Sequence, residues 1–213
     1  MFSTKLHHRK FIVSFYIALL FFVFISNPFE YYFLNDDFIH IPLAAKGNFL
    51  QSHALLRPMS EVTLWLDSKL WGKNSYGFHI SNVLIHLINV VLVFVVSRKL
   101  YKQVGQIKNK TSLIPIIAST LFLLYSFHSE SIYWIIGRGA SLTTLFFLSA
   151  FNFFLSSKKT MDKNFFFCLL FFVLGLLTYE LIWIFPLIVL IFTINFKQRE
   201  KIALVFIIWI LFK

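Results

Sequence analysis

Phe78-His79-Ile80-Ser81-Asn82-Val83-Leu84-Ile85-His86-Leu87-Ile88-Asn89-Val90-Val91-Leu92-Val93-Phe94-Val95-Val96 is the stretch that decides the fold. As a helix its nineteen residues run about 28 Å, close to one hydrocarbon thickness of a bilayer. It carries no charge, but it does carry His79, Asn82, His86 and Asn89. Spacings of three, four and three place these four on one stripe of a helix. Polar groups in a span turn toward other helices, where they hydrogen-bond between helices or line a site.

The rest of the chain repeats this pattern of apolar blocks. Of its 213 residues, 58% are hydrophobic, 20% aromatic and only 14% charged, whereas a soluble domain carries roughly 25% charged residues. Spans are predicted at about 11–29, 78–96, 113–127, 140–156, 165–178 and 181–196, with a partial one at 202–212. The run 165–196 is too long for one span and has a basic residue near each end, so it reads as a hairpin with Thr178-Tyr179-Glu180 at its apex. The first run follows a basic start (Lys5, Arg9, Lys10) but no small-residue cleavage site follows it, so it reads as an uncleaved span. The fold class expected is all-α: a polytopic transmembrane helix bundle, read as a single truncated transmembrane domain over 1–213.

Charge sets the expected topology. Lys and Arg cluster before the first span, across Arg98–Lys110, at Lys158, Lys159 and Lys163, and at Lys197, Arg199 and Lys201. The positive-inside rule puts these segments in the cytoplasm, with the N-terminus inside. The loop 30–76 then lies outside. Within it Leu55, Met59, Val62, Leu66 and Leu70 recur at helical spacing, which predicts an amphipathic juxtamembrane helix lying on the outer leaflet with Trp65 and Trp71 at headgroup level. The net charge of +11 is thus accounted for by membrane lipids and topology, and no basic face interleaved with stacking aromatics indicates nucleic acid. A lone Cys168 in an apolar block can form no intrachain disulfide and reads as packing.

The candidate chemistry gathers on the outer side. Asn35-Asp36-Asp37-Phe38-Ile39-His40 places two carboxylates just beyond the first span. They either mark where the chain leaves the lipid or supply a general base. His40, His53, Arg57, His128, Glu130, Arg138 and Glu180 share that boundary, with His79 and Asn82 near it. An acid beside arginines at the end of a helical bundle suits transfer from a lipid-linked phosphate donor: aspartate takes the proton of an acceptor hydroxyl and arginine receives the departing phosphate. No tight ligand spacing marks a metal site, so none is assigned; a divalent metal cofactor stays possible.

Three motifs in order carry a resemblance. They are the acidic pair after the first span; Arg57-Pro58 with Trp71-Gly72-Lys73-Asn74 and Gly77–His86; and His128-Ser129-Glu130-Ser131-Ile132-Tyr133-Trp134-Ile135-Ile136-Gly137-Arg138. Together they resemble the N-terminal part of the C-type (GT-C) membrane glycosyltransferases, in particular the protein O-mannosyltransferase group and its transmembrane-tetratricopeptide relatives. The resemblance implies a GT-C-like bundle, a polyprenyl- or dolichyl-phosphate sugar donor, an inverting mechanism and chemistry on the non-cytoplasmic face, as in a bacterial inner membrane. It makes Asp36, then Asp37, the catalytic base and sets His128, Glu130 and Arg138 on a loop bordering the site, with Glu180 in a matched pair; Arg57, His79 and Asn82 join these as substrate-binding candidates by their place at the outer boundary. Tyr179 stands where relatives carry Lys in a Lys-Glu pair. The rival readings are a non-catalytic protein binding lipid-linked sugar or partner subunits, and a transporter or flippase, for which the membrane interior offers few charges.

Overall fold

A computed structural model describes residues 32–47, 49, 57–103, 113–125, 129–159, 162–196 and 200–211. The predicted first span, His53 and His128 lie outside the described residues. Among the described residues all regular structure is helical. The helices are α1 (Asp37–Ala45), α2 (Pro58–Trp71), α3 (Ser75–Gln103), α4 (Ile114–Leu124), α5 (Ser129–Tyr133), α6 (Arg138–Ser156), α7 (Lys163–Leu176), α8 (Phe185–Phe196) and α9 (Glu200–Leu211). A 3-10 turn, Glu180–Ile184, joins α7 to α8.

Helix starts follow local chemistry. Pro58 opens α2 at a position where its fixed φ suits the helix and its missing N–H costs nothing. Asp162 caps α7, its Oδ1 accepting from Phe165 N at 2.7 Å. Oδ2 accepts from Lys158 N at 2.7 Å, and Ser157 Oγ donates to Oδ1 at 2.9 Å. Burial opposes charge on this carboxyl, but these donors outweigh it and hold its pKa down to about 2.

Among the described residues, α3 and α6 are the helices long and apolar enough to cross a membrane; α4 and α7 are shorter apolar helices. Side chains with large exposed apolar surface run in stripes: Leu84, Ile88 and Val91 on α3, Ile117 and Leu121 on α4, Phe166 and Leu170 on α7. Contiguous apolar stripes of this kind mark faces that meet lipid or another protein.

Two packed cores hold the bundle. One joins α6, α7 and α8 through Phe154, Phe165, Phe172 and Phe185, with Phe172 and Phe185 stacked at 5.0 Å. The smaller joins α1, α2 and α3 to the loop after α5 through Ile41, Ala44, Leu64, Phe78 and Ile135.

The register of α3 against α6 sets the level of everything else. Asn89 Nδ2 donates to Ser141 O at 2.8 Å, and Lys99 Nζ to Asn152 O at 3.1 Å. Both helices ascend together, so they run parallel. Since α6 begins three residues before Ser141 while α3 begins fourteen before Asn89, about 16 Å of α3 projects past the start of α6. His79 and Asn82 sit on that projection. The stripe foreseen in the sequence is buried at all four positions, and Asn89 bonds to the body of α6. Asn82 Nδ2 instead reaches Ile132 O at 3.3 Å and Trp134 O at 3.4 Å.

Helix α2 turns its polar face toward the rest of the protein. Its buried residues are Ser60, Glu61, Leu64 and Asp67, while Leu66 and Leu70 are exposed. The polar face turns inward because partners wait there: Arg138 and Ser81 for Asp67, and Thr178 O for Ser60. A charge with such partners is buried at far lower cost than an isolated one.

Candidate functional site

A cavity of about 440 Å³ opens where α1, α2, α3, α5, α6 and the 3-10 turn meet. Asp36, Arg57 and Glu130 line it together, drawn from three separate segments of the chain. Asp36 sits immediately before α1, is exposed, and caps the helix with no side-chain hydrogen bond. His40, one turn later on the same face, lines the cavity as well.

Asp37 is placed differently. It is buried, its Oδ2 accepting from Leu34 N at 2.9 Å and its Oδ1 from Ile136 N at 3.1 Å. It ties α1 to the loop after α5. Burial pushes its carboxyl above the usual value, against the pull of the backbone N–H groups of Leu34, Ile136 and Ile135 and of neighbouring His79. Asp37 does not line the cavity.

Arg57 presents a fork to Glu180: Nη2 lies 3.0 Å from Oε2, and Nε 3.3 Å from Oε1. Its guanidinium also stacks on Tyr179 at 4.1 Å. Tyr179 therefore supplies a π-face to Arg57 rather than a second positive charge. The pair is partly exposed, with 23% and 30% of the two side chains accessible, so Arg57 is reachable by an anion from the cavity.

Arg138 belongs to the scaffold of the site. It is 1% exposed; Nη1 pairs with Asp67 Oδ2 at 2.5 Å, Nη2 donates to Phe78 O at 3.2 Å and Nε to Ile135 O at 3.3 Å. These bonds join α2, α3 and the loop before α6 through one guanidinium. His79 and Asn82 likewise touch the 132–135 backbone. These three residues shape the wall behind the cavity without lining it.

The cavity also contains residues that the sequence pattern did not single out for a site. Trp134, Ser141 and Thr144 line it, and Asn89 does so from the polar stripe of α3. The signal for Asn89 was present as a polar residue at mid-helix; nothing local distinguished Trp134 from an interfacial anchor. Among the described residues, no group of three or more His, Cys, Asp or Glu side chains is arranged to hold a metal ion.

The chain is similar to protein O-mannosyltransferases. It is 31% identical over 133 residues to "Protein O-mannosyl-transferase TMTC3" of Homo sapiens, covering 62% of this chain and 13% of the relative. To "Protein O-mannosyl-transferase TMTC1" of Homo sapiens it is 30% identical over 114 residues, 53% of this chain and 12% of the relative. To "Protein O-mannosyl-transferase F38B6.6" of Caenorhabditis elegans it is 33% identical over 99 residues, 46% of this chain and 14% of the relative. The similarity thus spans about half of this chain and a small part of each relative's length. No family model and no solved structure matches. The resemblance read from the three motifs is borne out at the level of the mannosyltransferase group.

Proposed function

We propose that this chain is a multi-pass integral membrane glycosyltransferase of GT-C type, transferring a hexose, with mannose favoured, from a polyprenyl- or dolichyl-phosphate donor to an acceptor hydroxyl. The observation that carries the reading is the meeting of Asp36 and Arg57 in one cavity, an acid and a cation from segments well apart in the chain. Similarity to protein O-mannosyltransferases supports the sugar and the hydroxyl acceptor. The exposed apolar stripes support a lipid environment, and the basic ends of the helices away from the cavity support a non-cytoplasmic site.

In this reading Asp36 accepts the proton of the acceptor hydroxyl as its oxygen attacks the anomeric carbon from the face opposite the phosphate. The bond from that carbon to the phosphate oxygen breaks, the configuration inverts, and the lipid phosphate leaves with its charge. Arg57 receives that charge, exchanging part of its contact with Glu180 for the phosphate oxygens. Asp37, His79, Asn82 and Arg138 act as positioning residues. Glu130 contacts substrate at the cavity wall. His128 adjoins this loop in sequence.

The test is transfer by the full chain in lipid nanodiscs, with polyprenyl-phosphate mannose as donor and a Ser/Thr-rich peptide as acceptor. Asp36→Asn is expected to lower turnover by about a hundredfold or more while leaving donor binding within a few-fold. Undiminished turnover in folded Asp36→Asn defeats the assignment of the base.

A further inference from the structure

The deep wall of the cavity holds two hydrogen-bonding groups that the described fold leaves unspent. Asn89 is 1% exposed, and its Nδ2 donates to Ser141 O at 2.8 Å. A carbonyl oxygen can only accept, so the amide must present its nitrogen to Ser141, and Oδ1 is directed elsewhere. That Oδ1 is buried with no hydrogen-bond partner among the described residues. Trp134 lines the same cavity, and its Nε1–H is buried with no partner as well. An indole N–H can only donate. Two residues that line a single cavity thus each hold a buried polar atom without a partner among the described residues, one an acceptor and one a donor, and leaving either unmet is costly.

The chemistry of the pair selects among the parts of a lipid-phosphate sugar. An alkyl tail satisfies neither group. An ionised phosphate has only acceptor oxygens, so it can take the Trp134 N–H but offers nothing to Asn89 Oδ1. A polyhydroxylated ring satisfies both, because each hydroxyl donates and accepts. Phe122 and Ala140 on the same walls supply apolar contact for its C–H faces.

We infer that Asn89 and Trp134 read the hydroxyls of the donor's hexose ring, Asn89 Oδ1 accepting from one hydroxyl and Trp134 Nε1–H donating to a ring or hydroxyl oxygen. This rests on the transfer reading for the identity of the ligand, but it concerns recognition and not the base. Sites that hydrogen-bond a substrate hydroxyl discriminate strongly against the analogue lacking it. Asn89 is therefore a specificity residue, and it lies one helical turn deeper than the start of α6.

The experiment measures equilibrium binding of polyprenyl-phosphate mannose and its monodeoxy analogues to the full chain in nanodiscs, with transfer rates recorded in parallel. The wild-type chain is expected to bind one monodeoxy analogue on the order of tenfold to a hundredfold more weakly than the parent. That penalty should disappear in Asn89→Ala. Trp134→Phe keeps the ring and removes only the N–H, so it should weaken the parent donor by about fivefold to tenfold if it folds as wild type. Equal binding of all monodeoxy donors by the wild-type chain overturns the inference, with no variant needed. So does a penalty that persists in folded Asn89→Ala, or a failure to bind the parent donor at all. A chain that binds with hydroxyl discrimination yet transfers nothing upholds the inference and sinks the reaction; one that transfers without discrimination does the reverse.

Discussion

Breaking the Asp67–Arg138 pair should cost more than any single change at the cavity surface. Asp67 and Arg138 side chains are 7% and 1% accessible, and the closest contact is 2.5 Å. Asp67→Asn keeps the volume and both contacts in outline, its oxygen facing the guanidinium and its Nδ2 donating to Ser81 Oγ, whose proton turns to Gly77 O, so the change chiefly removes the charge. The arginine retains Phe78 O and Ile135 O and loses its counter-charge. Stranding a buried cation costs about 3–5 kcal/mol, and the two surviving carbonyl contacts argue for the lower end, about 3 kcal/mol. For a chain of this length that corresponds to a loss of about 6–12 °C in apparent Tm. Removing both charges together, as Asp67→Leu with Arg138→Met, leaves neither of the two charges buried without the other. The double variant should therefore lose much less than the sum of the single losses, with a coupling of about 2–3 kcal/mol. Thermal unfolding of the detergent-solubilised chain, followed by tryptophan fluorescence, gives all the required values. Single variants melting within about 2 °C of wild type, or strictly additive losses, would refute the view that this guanidinium is what locks α2 and α3 to the loop before α6.

Further outcomes follow from the remaining polar groups. Asp37 holds its proton more tightly in the folded chain than in the unfolded one, so its contribution to stability is complete below 3.8 and is lost as pH rises through the raised folded value. Melting curves across pH should show wild type losing ground to Asp37→Asn as pH climbs above 3.8; a difference independent of pH would contradict this. Asp162 has the opposite sign: its folded value of about 2 lies below 3.8, so its stabilisation is present above 3.8 and fades as pH falls toward 2. Asp162→Ala should cost about 1 kcal/mol near neutrality, and the gap to wild type should close in acid. A Cβ on Gly137 would lie 2.6 Å from Glu130 O and 3.0 Å from Trp134 O, both backbone atoms. Gly137→Ala should lower stability by about 1–3 kcal/mol and weaken donor binding by shifting Glu130 and Trp134, as read by melting and by nanodisc binding.

The amino-acid pattern by itself located the long apolar helices and α2, but not α1 or α5, and it showed where the long apolar run breaks at Thr178–Glu180 and that His79, Asn82, His86 and Asn89 share a buried stripe. Those features depend on hydropathy and spacing summed over neighbouring residues, so they are legible locally. It also carried the motifs on which the mannosyltransferase resemblance rests. Tertiary structure alone decided which carboxylate of the Asp36–Asp37 pair reaches the cavity, because one step around a helix start separates an exposed side chain from one held by Leu34 and Ile136. It turned the polar face of α2 inward, because Arg138 lies 71 residues from Asp67 and Arg57 lies 123 from Glu180. Hydropathy assigns each charge to water; only a partner brought near by folding makes burial affordable, and no local window contains that partner.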